Sequence, residues 1–325
     1  MPRRVEPLIK FFRHSGHDQP ALAVTLMLGS LMMLGLQDAL SKYLSVHITI
    51  WQFQFLRALV NLSVLLAIVF WMAEPALLRP QRISRVALRS AMQVTATLLF
   101  FGSAPLLTMT EMAGGLYTFP LFVAALSSLL PGERVGPRRW IAIIAGFAGT
   151  LLMLRPGTET FRLAALMPVG AGFFYALFVL CTRRLCRDES PMALVLGSNL
   201  SILLVSSAGI VALSIYSLPA TLTGYNPYLY TAWQPLLWWM AGVILVCGLL
   251  NSLSNLGLGK AYQSADSAML APFDYCYLIF ATFWGYVFWR EVPDAAAVIG
   301  MCIIASAGIF VAYRERIANR AVRAA

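Results

Sequence analysis

Asp274 is the single charge in the twenty residues LAPFDYCYLIFATFWGYVFW (270–289). At 1.5 Å per residue, a helix of that length crosses the hydrocarbon of a bilayer. An acid well inside it costs about 2.5–3.5 kcal/mol on insertion scales, so it is kept where it binds something. A cargo's positive charge, a coupling proton or a neighbouring helix could each be that partner. Pro272, two residues earlier, removes a backbone donor and frees a carbonyl at the same depth. An interrupted helix beside a buried acid is a means of binding ions or substrates inside a membrane. The competing role is structural: a snorkelling or interhelical hydrogen-bonding Asp. With entry from the cytoplasm near Ser267, Asp274 lies roughly 10 Å in. Tyr277, Leu278, Ala281 and Gly285 follow on its face, and Gly285 would admit a substrate or another helix.

Other residues could serve the same chemistry, which is reversible binding rather than bond-making. Asp38 and Lys42 stand four apart with the acid first, the favourable order on a helix. Arg57 returns to a similar level on the next apolar segment, so an Asp38–Arg57 or Asp38–Lys42 pair would offset the cost of burial. That set is a gate, a structural clamp or a direct contact to cargo. In GLLNSLSNLGLGK (248–260), Asn251, Asn255 and Gly259 form one stripe whose amides both donate and accept. They line a cavity or join helices. Tyr117, Tyr175, Tyr275 and Tyr277 could stack on an aromatic or cationic ligand, or serve as packing and interfacial anchors. Glu133 in GER and Glu291 in REV fall at segment ends, where capping or surface salt bridges are expected.

No cofactor, metal or catalytic set is expected. Cys181 and Cys186 are close, with no further metal-type ligand beside them. The five cysteines are scattered through apolar segments and read as reduced thiols. GLGK ends like a phosphate-binding loop, but Ser254 stands where the earlier glycine is required. His14, His17 and His47 make no metalloprotease motif.

These residues must be positioned by membrane-spanning helices. The chain of 325 residues is 59% hydrophobic and 12% charged, with mean hydropathy +0.74. A soluble domain needs about 25% charged residues, so this chain is not one. The apolar run from Ala21 is too long for a signal-peptide core, and the stretch LIKFF before it is either a surface-lying helix or disordered. Apolar segments long enough to span fall at about 21–44, 50–73, 86–107, 110–130, 136–154, 163–182, 191–217, 233–259, 267–289 and 294–313. With the N-terminus in the cytoplasm, nineteen Lys and Arg fall inside, Arg89 and Lys260 among them. Four (Lys42, Arg155, Arg162, Arg290) fall outside, and Arg57 lies within a span. The net charge of +10 therefore reads as membrane orientation with both ends cytoplasmic, and not as a nucleic-acid partner.

The ten segments divide into two sets of five. SKYL (41–44) matches TRRL (182–185), and Gly29 matches Gly170, at an offset of 141. Glu133 matches Glu291 at 158, and AGTLLMLR (148–155) matches AGIFVAYR (307–314) at 159. The added length falls in the Pro/Tyr/Thr-rich connection before span eight. Five is odd, so the second copy enters the membrane upside down, an architecture that places substrate sites near the midplane. Ala142, Gly146 and Thr150 make a small-residue face suited to helix packing.

GLQDALSKYLSVHITIWQFQFLRAL, TFPLFVAALSSLLPGERV and SAMLAPFDYCYLIFATFWGYVFWREVPD resemble the drug/metabolite transporter superfamily, in its EamA-type ten-helix branch. The resemblance runs from Asp38, Lys42 and Arg57, through Pro120 and Glu133, to Ala271–Pro272 and Glu291, and covers nearly the whole chain. It is nearest to sequences of the S-adenosylmethionine-uptake type, and next to riboflavin and amino-acid carriers. In Asp274 the chain departs from the uptake type. The resemblance implies a basket of helices around a central cavity, with spans five and ten peripheral, in a bacterial inner membrane. The expected organisation is a cytoplasmic segment 1–20, a first repeat 21–157, a second repeat 161–314 and a cytoplasmic tail 315–325. The expected function is secondary transport of a small organic metabolite by alternating access, coupled to a proton or another ion. An intramembrane enzyme and a non-transporting sensor or assembly protein are the alternatives. Asp274, Tyr277, Asn251, Asn255, Tyr117 and Tyr175 are the candidate substrate or coupling residues, with Asp38, Lys42 and Arg57 as gate or ion pair.

Overall fold

A computed structural model describes residues 19–128, 137–155, 163–216, 218–265 and 267–324. LIKFF, His14, His17, Glu133 and Arg162 lie outside the described residues. Among those described, all regular structure is helical. The first helices are α1 (Pro20–Leu44), α2 (Ile50–Met72) and α3 (Ile83–Gly102). Pro20 opens α1 where a missing N–H costs nothing. Thr49 caps α2 by accepting from the Gln52 backbone N–H at 3.1 Å, and Ala73 ends it at φ 57°.

The segment expected to run unbroken from 110 to 130 is two helices, α4 (Met109–Leu116) and α5 (Phe119–Ser127). Pro120 enters at the first turn of α5, and its missing N–H lets the chain restart there rather than continue from α4. Next come α6 (Pro137–Leu154), α7 (Leu166–Leu185) and α8 (Pro191–Ile215). The Pro/Tyr/Thr-rich connection holds two short turns of helix, α9 (Ala220–Tyr225) and α10 (Pro227–Tyr230). Then α11 (Trp238–Ser264) begins later than hydropathy alone places it and continues past Lys260. The interruption expected near Pro272 is present: α12 (Ser267–Asp274) stops and α13 (Cys276–Trp289) starts after one intervening residue, Tyr275. The chain closes with α14 (Ala295–Ala324).

Six of these segments are long and apolar enough to cross a membrane: 20–44, 50–72, 109–127, 163–185, 191–215 and 238–264. Trp140–Leu154 and Ala295–Val311 are shorter apolar helices. Their outer faces carry large apolar side chains such as Phe70, Ile141, Leu204, Trp238 and Ile279, all more than half exposed. Lipid is the solvent that suits them.

The packing partners come in matched sets. α1 lies against α11 as α7 lies against α3. α1 also packs on α12 and α13, as α7 does on α4 and α5. α11 meets α2 as α3 meets α8, while α2 pairs with α8 and α6 with α14. The α6–α14 contact uses the small-residue face. A Cβ added at Gly149 would lie 3.0 Å from the Gly300 carbonyl, and one at Gly146 would lie 3.2 Å from Ala307 Cβ. Helix packing is thus its role.

Two cations change place. Arg89 and Lys260, expected in cytoplasmic connections, are residues of α3 and α11 and are buried. A hydropathy window ends a span at the first cluster of charges. A helix continues through such a cluster when its neighbours supply acceptors, as they do for Arg89.

Candidate substrate site

The two helix breaks face each other. Tyr117 follows α4 and Tyr275 follows α12, and their rings meet edge-on with centroids 5.6 Å apart. Tyr117 also stacks flat on Tyr277, at 5.1 Å and 8° between planes. From Tyr117 the aromatic contacts continue through Phe119 (5.8 Å) to Tyr175 (5.0 Å) and Phe178 (5.3 Å). A continuous file of rings therefore runs between α13, the α4–α5 break and α7. Offset and edge-on pairs of this kind add about 0.5–1.5 kcal/mol each beyond their burial, which holds the breaks in register.

At one end of the file is Asp38, buried on α1. Tyr277 donates its O–H to Asp38 Oδ2, and Gln37 Nε2 donates to Oδ1 at 3.0 Å. Gln37 in turn accepts from Asn251 Nδ2 at 3.1 Å, and Asn251 Oδ1 accepts from Asn61 Nδ2 at 3.3 Å. Asn251 thus joins α1, α2 and α11 in one polar network. Asn255 is exposed and donates to the Asn251 carbonyl at 2.7 Å, one turn back on its own helix.

Neither pairing expected for Asp38 is the one it makes. Lys42 Nζ bonds Glu291 Oε1 at 2.5 Å, with the ammonium 4.5 Å from the Trp289 ring centre. Arg57 Nη2 donates to Gln54 Oε1 at 2.6 Å, and its guanidinium lies over Phe101 (4.8 Å) and Phe53 (5.3 Å). Among the described residues Asp38 forms no salt bridge. The reason is local. Both Asp38 oxygens already accept from Tyr277 and Gln37, while Glu291, past the end of α13, reaches Lys42 directly. Glu291 does more than pair. Its Oε2 accepts the Met109 backbone N–H at 2.9 Å, so it caps the first turn of α4 beside the Thr108–Glu111 capping box. Gly285 makes this docking close: a Cβ there would lie 3.1 Å from Met109 Cβ and 3.0 Å from Glu291 Oε2. Its bare face serves a helix.

Asp274 ends α12, half-buried, and accepts from Tyr262 of α11 at 2.6 Å. The next residue, Tyr275, meets Tyr117 of the ring file, so Asp274 stands beside the file on the α12 side. Asp38, Asp274, Tyr117, Tyr175 and Tyr277 are thus brought together. Lys42 and Arg57 have other partners. Sequence reasoning missed Gln37, Phe119 and Tyr262, none of which carries a charge to mark it. For Glu291 a signal existed in the parallel of GER and REV. The break at Tyr117 was signalled by Pro120.

Residues 21–155 match the EamA-like transporter family, so this chain carries an EamA domain. With several long apolar helices, the chain is a multi-pass membrane protein. It is 30% identical to a riboflavin transporter of Vibrio cholerae over 208 residues, 64% of either chain. It is 25% identical to an S-adenosylmethionine uptake transporter of Rickettsia prowazekii, over 88% of this chain and 91% of that one. A pseudopaline exporter of Pseudomonas aeruginosa is 23% identical over 84% of this chain and 89% of its own. A solved crystal structure of a protein shares the fold at TM-score 0.59 and 18% identity, over 93% of this chain and 99% of that one.

Proposed function

We propose that this protein is a secondary transporter that moves a small organic metabolite across the bacterial inner membrane by alternating access. The observation that carries this reading is the meeting of two broken helices at Tyr117 and Tyr275, flanked by the carboxylates of Asp38 and Asp274. Broken helices free backbone groups at the membrane midplane, and such groups persist where they line a binding site. The names of the three relatives above, each a transporter or exporter, support transport over an enzymatic role.

In this reading the fold is ten spans in two inverted repeats of five around a central site, the first near 21–157 and the second near 161–314. The matched packing sets support the duplication: each pairing recurs when five spans are added to both members. Tyr117 and Tyr275 themselves lie 158 apart, the offset that relates Glu133 to Glu291. Both termini are cytoplasmic. Transport couples to a proton or another ion, with Asp274 as the group that trades its charge.

Uptake by purified protein in liposomes tests the proposal. S-adenosylmethionine and riboflavin, the cargoes in the names of relatives, are the first probes. Protein-dependent, saturable accumulation of one of them is expected. Its absence for both, with a shared-fold transporter reconstituted as positive control, would remove the reading.

A further inference from the structure

α6 and α14 run antiparallel, with Gly146 opposite Ala307 and Gly149 opposite Gly300. Between them lies an open groove of about 620 Å³. Ile141 and Ala145 of α6 and Ile299, Cys302, Ser306 and Phe310 of α14 line it, and none of its lining residues is charged. It lies within the apolar helices Trp140–Leu154 and Ala295–Val311. Ile141 is 67% exposed and Ile299 52%, so the groove opens on a surface suited to hydrocarbon. What enters it from there is an apolar chain.

Length and charge identify the molecule that carries this chain. From Ile299 to Phe310 the helix rises roughly 16 Å, close to half the thickness of a bilayer's hydrocarbon, which is one leaflet. The two ends of the groove differ. Beyond Ile299, Arg155 Nη2 bonds Asp294 Oδ2 at 2.5 Å, one cation against one anion. Beyond Ile141 and Phe310, α6 opens with Arg138 and Arg139, and α14 runs on through Arg314 and Arg316. The register that sets Gly146 opposite Ala307 brings Arg139 level with Arg314. Glu315 is the one acid in those turns, so this end is basic. In the proposed topology it faces the cytoplasm.

We infer that the groove is a lipid site. It seats an acyl chain of an anionic phospholipid from the cytoplasmic leaflet, whose phosphate meets the arginines at the ends of α6 and α14. Charge selects this occupant. A second copy of the chain docked on this face would use the same patch on both partners and set these arginines against each other. A lipid without net charge would fill the groove and leave the basic end uncompensated. An anionic headgroup supplies the counter-charge at the depth where such headgroups lie. The site uses no residue of the ring file or of the two acids beside it, so it goes beyond the transport reading and takes only its sidedness from there.

The test adds phosphatidylglycerol or phosphatidylcholine, with the same acyl chains, to the full-length protein in detergent. The melting temperature is read against lipid concentration. Phosphatidylglycerol is expected to stabilise with an apparent Kd about tenfold lower than phosphatidylcholine. Replacing both Arg138→Gln and Arg139→Gln should weaken phosphatidylglycerol by about fivefold per arginine and leave phosphatidylcholine unchanged. Ser306 is exposed, and Ser306→Phe fills the groove with a ring. It should weaken both lipids while the melting temperature in detergent alone stays at the wild-type value. Should it fail to fold, Ala145→Leu on the facing wall takes its place. Equal affinity of the wild type for the two lipids overturns the inference. So does phosphatidylglycerol binding at wild-type strength in the folded variants, the mark of lipid held loosely around the whole protein. A doubled mass in detergent that Ser306→Phe returns to a single chain also overturns it, and assigns the groove to a second copy.

Discussion

At the scale of single residues, the two membrane acids differ in how they are held. Asp38 is enclosed, with donors on both oxygens. Asp274 is half-buried with one donor, the Tyr262 hydroxyl. A carboxylate with one oxygen left without a donor can take a cargo's cation or a proton, while one bonded at both oxygens to other residues holds helices together. Replacement separates the two roles. Asp274→Asn keeps size and hydrogen bonding but loses the charge. It should insert normally and lower net transport by tenfold or more, or abolish its dependence on pH or on cargo charge. Wild-type rates with an unchanged pH profile, at equal protein in liposomes, would make Asp274 a packing residue. Tyr277→Phe deletes one donor to Asp38 and leaves a buried acceptor short of a partner. The cost should be about 1–3 kcal/mol of stability, read as a lower melting temperature in detergent. An unchanged melting temperature would mean that Asp38 does not depend on that bond.

At the scale of elements, the ends of helices carry the long-range connections. Glu291, beyond α13, holds Lys42 of α1 with one oxygen and the N-terminus of α4 with the other. Three elements far apart in sequence are pinned by one carboxylate. A double-mutant cycle of Lys42→Met and Glu291→Gln should therefore show a coupling of about 0.5–3 kcal/mol. Glu291→Ala should be worse than Glu291→Gln, because the amide can still accept from Met109 N–H while alanine leaves it uncapped. Additive losses in the cycle, or equal effects of the two Glu291 variants, would reduce the contact to a surface ion pair of little weight. Elements also explain Lys260. α11 runs on past the Asn251 stripe to Ser264, and so carries Lys260 inside the fold.

At the scale of the whole molecule, the prediction concerns topology. Reporter fusions after Arg187 and after Arg320 should read cytoplasmic, and one at Thr223 should read periplasmic. Arg187 lies just past α7, and Thr223 lies in α9 between α8 and α11. A cytoplasmic signal at Thr223 is incompatible with two inverted repeats of five spans. Moving Arg89 and Lys260 into helices leaves the charge asymmetry strong. The clusters at Arg79–Arg85 and Arg183–Arg187 remain on the proposed cytoplasmic side, each next to a helix end.

By itself the sequence determined the class of solvent, the approximate course of the spans and the family resemblance. It also exposed Asp274, because a charge in a twenty-residue apolar run is conspicuous without any structure. The interruption beside it followed from Pro272. All of these are properties of windows about twenty residues wide, where composition and helical period act. The tertiary structure decided the partners. Lys42 chose Glu291, 249 residues away, over Asp38 four residues away, and Asp38 took Tyr277 at a separation of 239. Helical spacing shows which residues share a face but not which helix will dock there, and docking sets the nearest donor to each acid. The same limit hid Arg89, whose acceptors Thr182, Leu194 and Ser198 lie about a hundred residues on. A cation beside a loop and a cation inside a bundle have the same local sequence. The neutral acceptors that α7 and α8 bring to it make the difference.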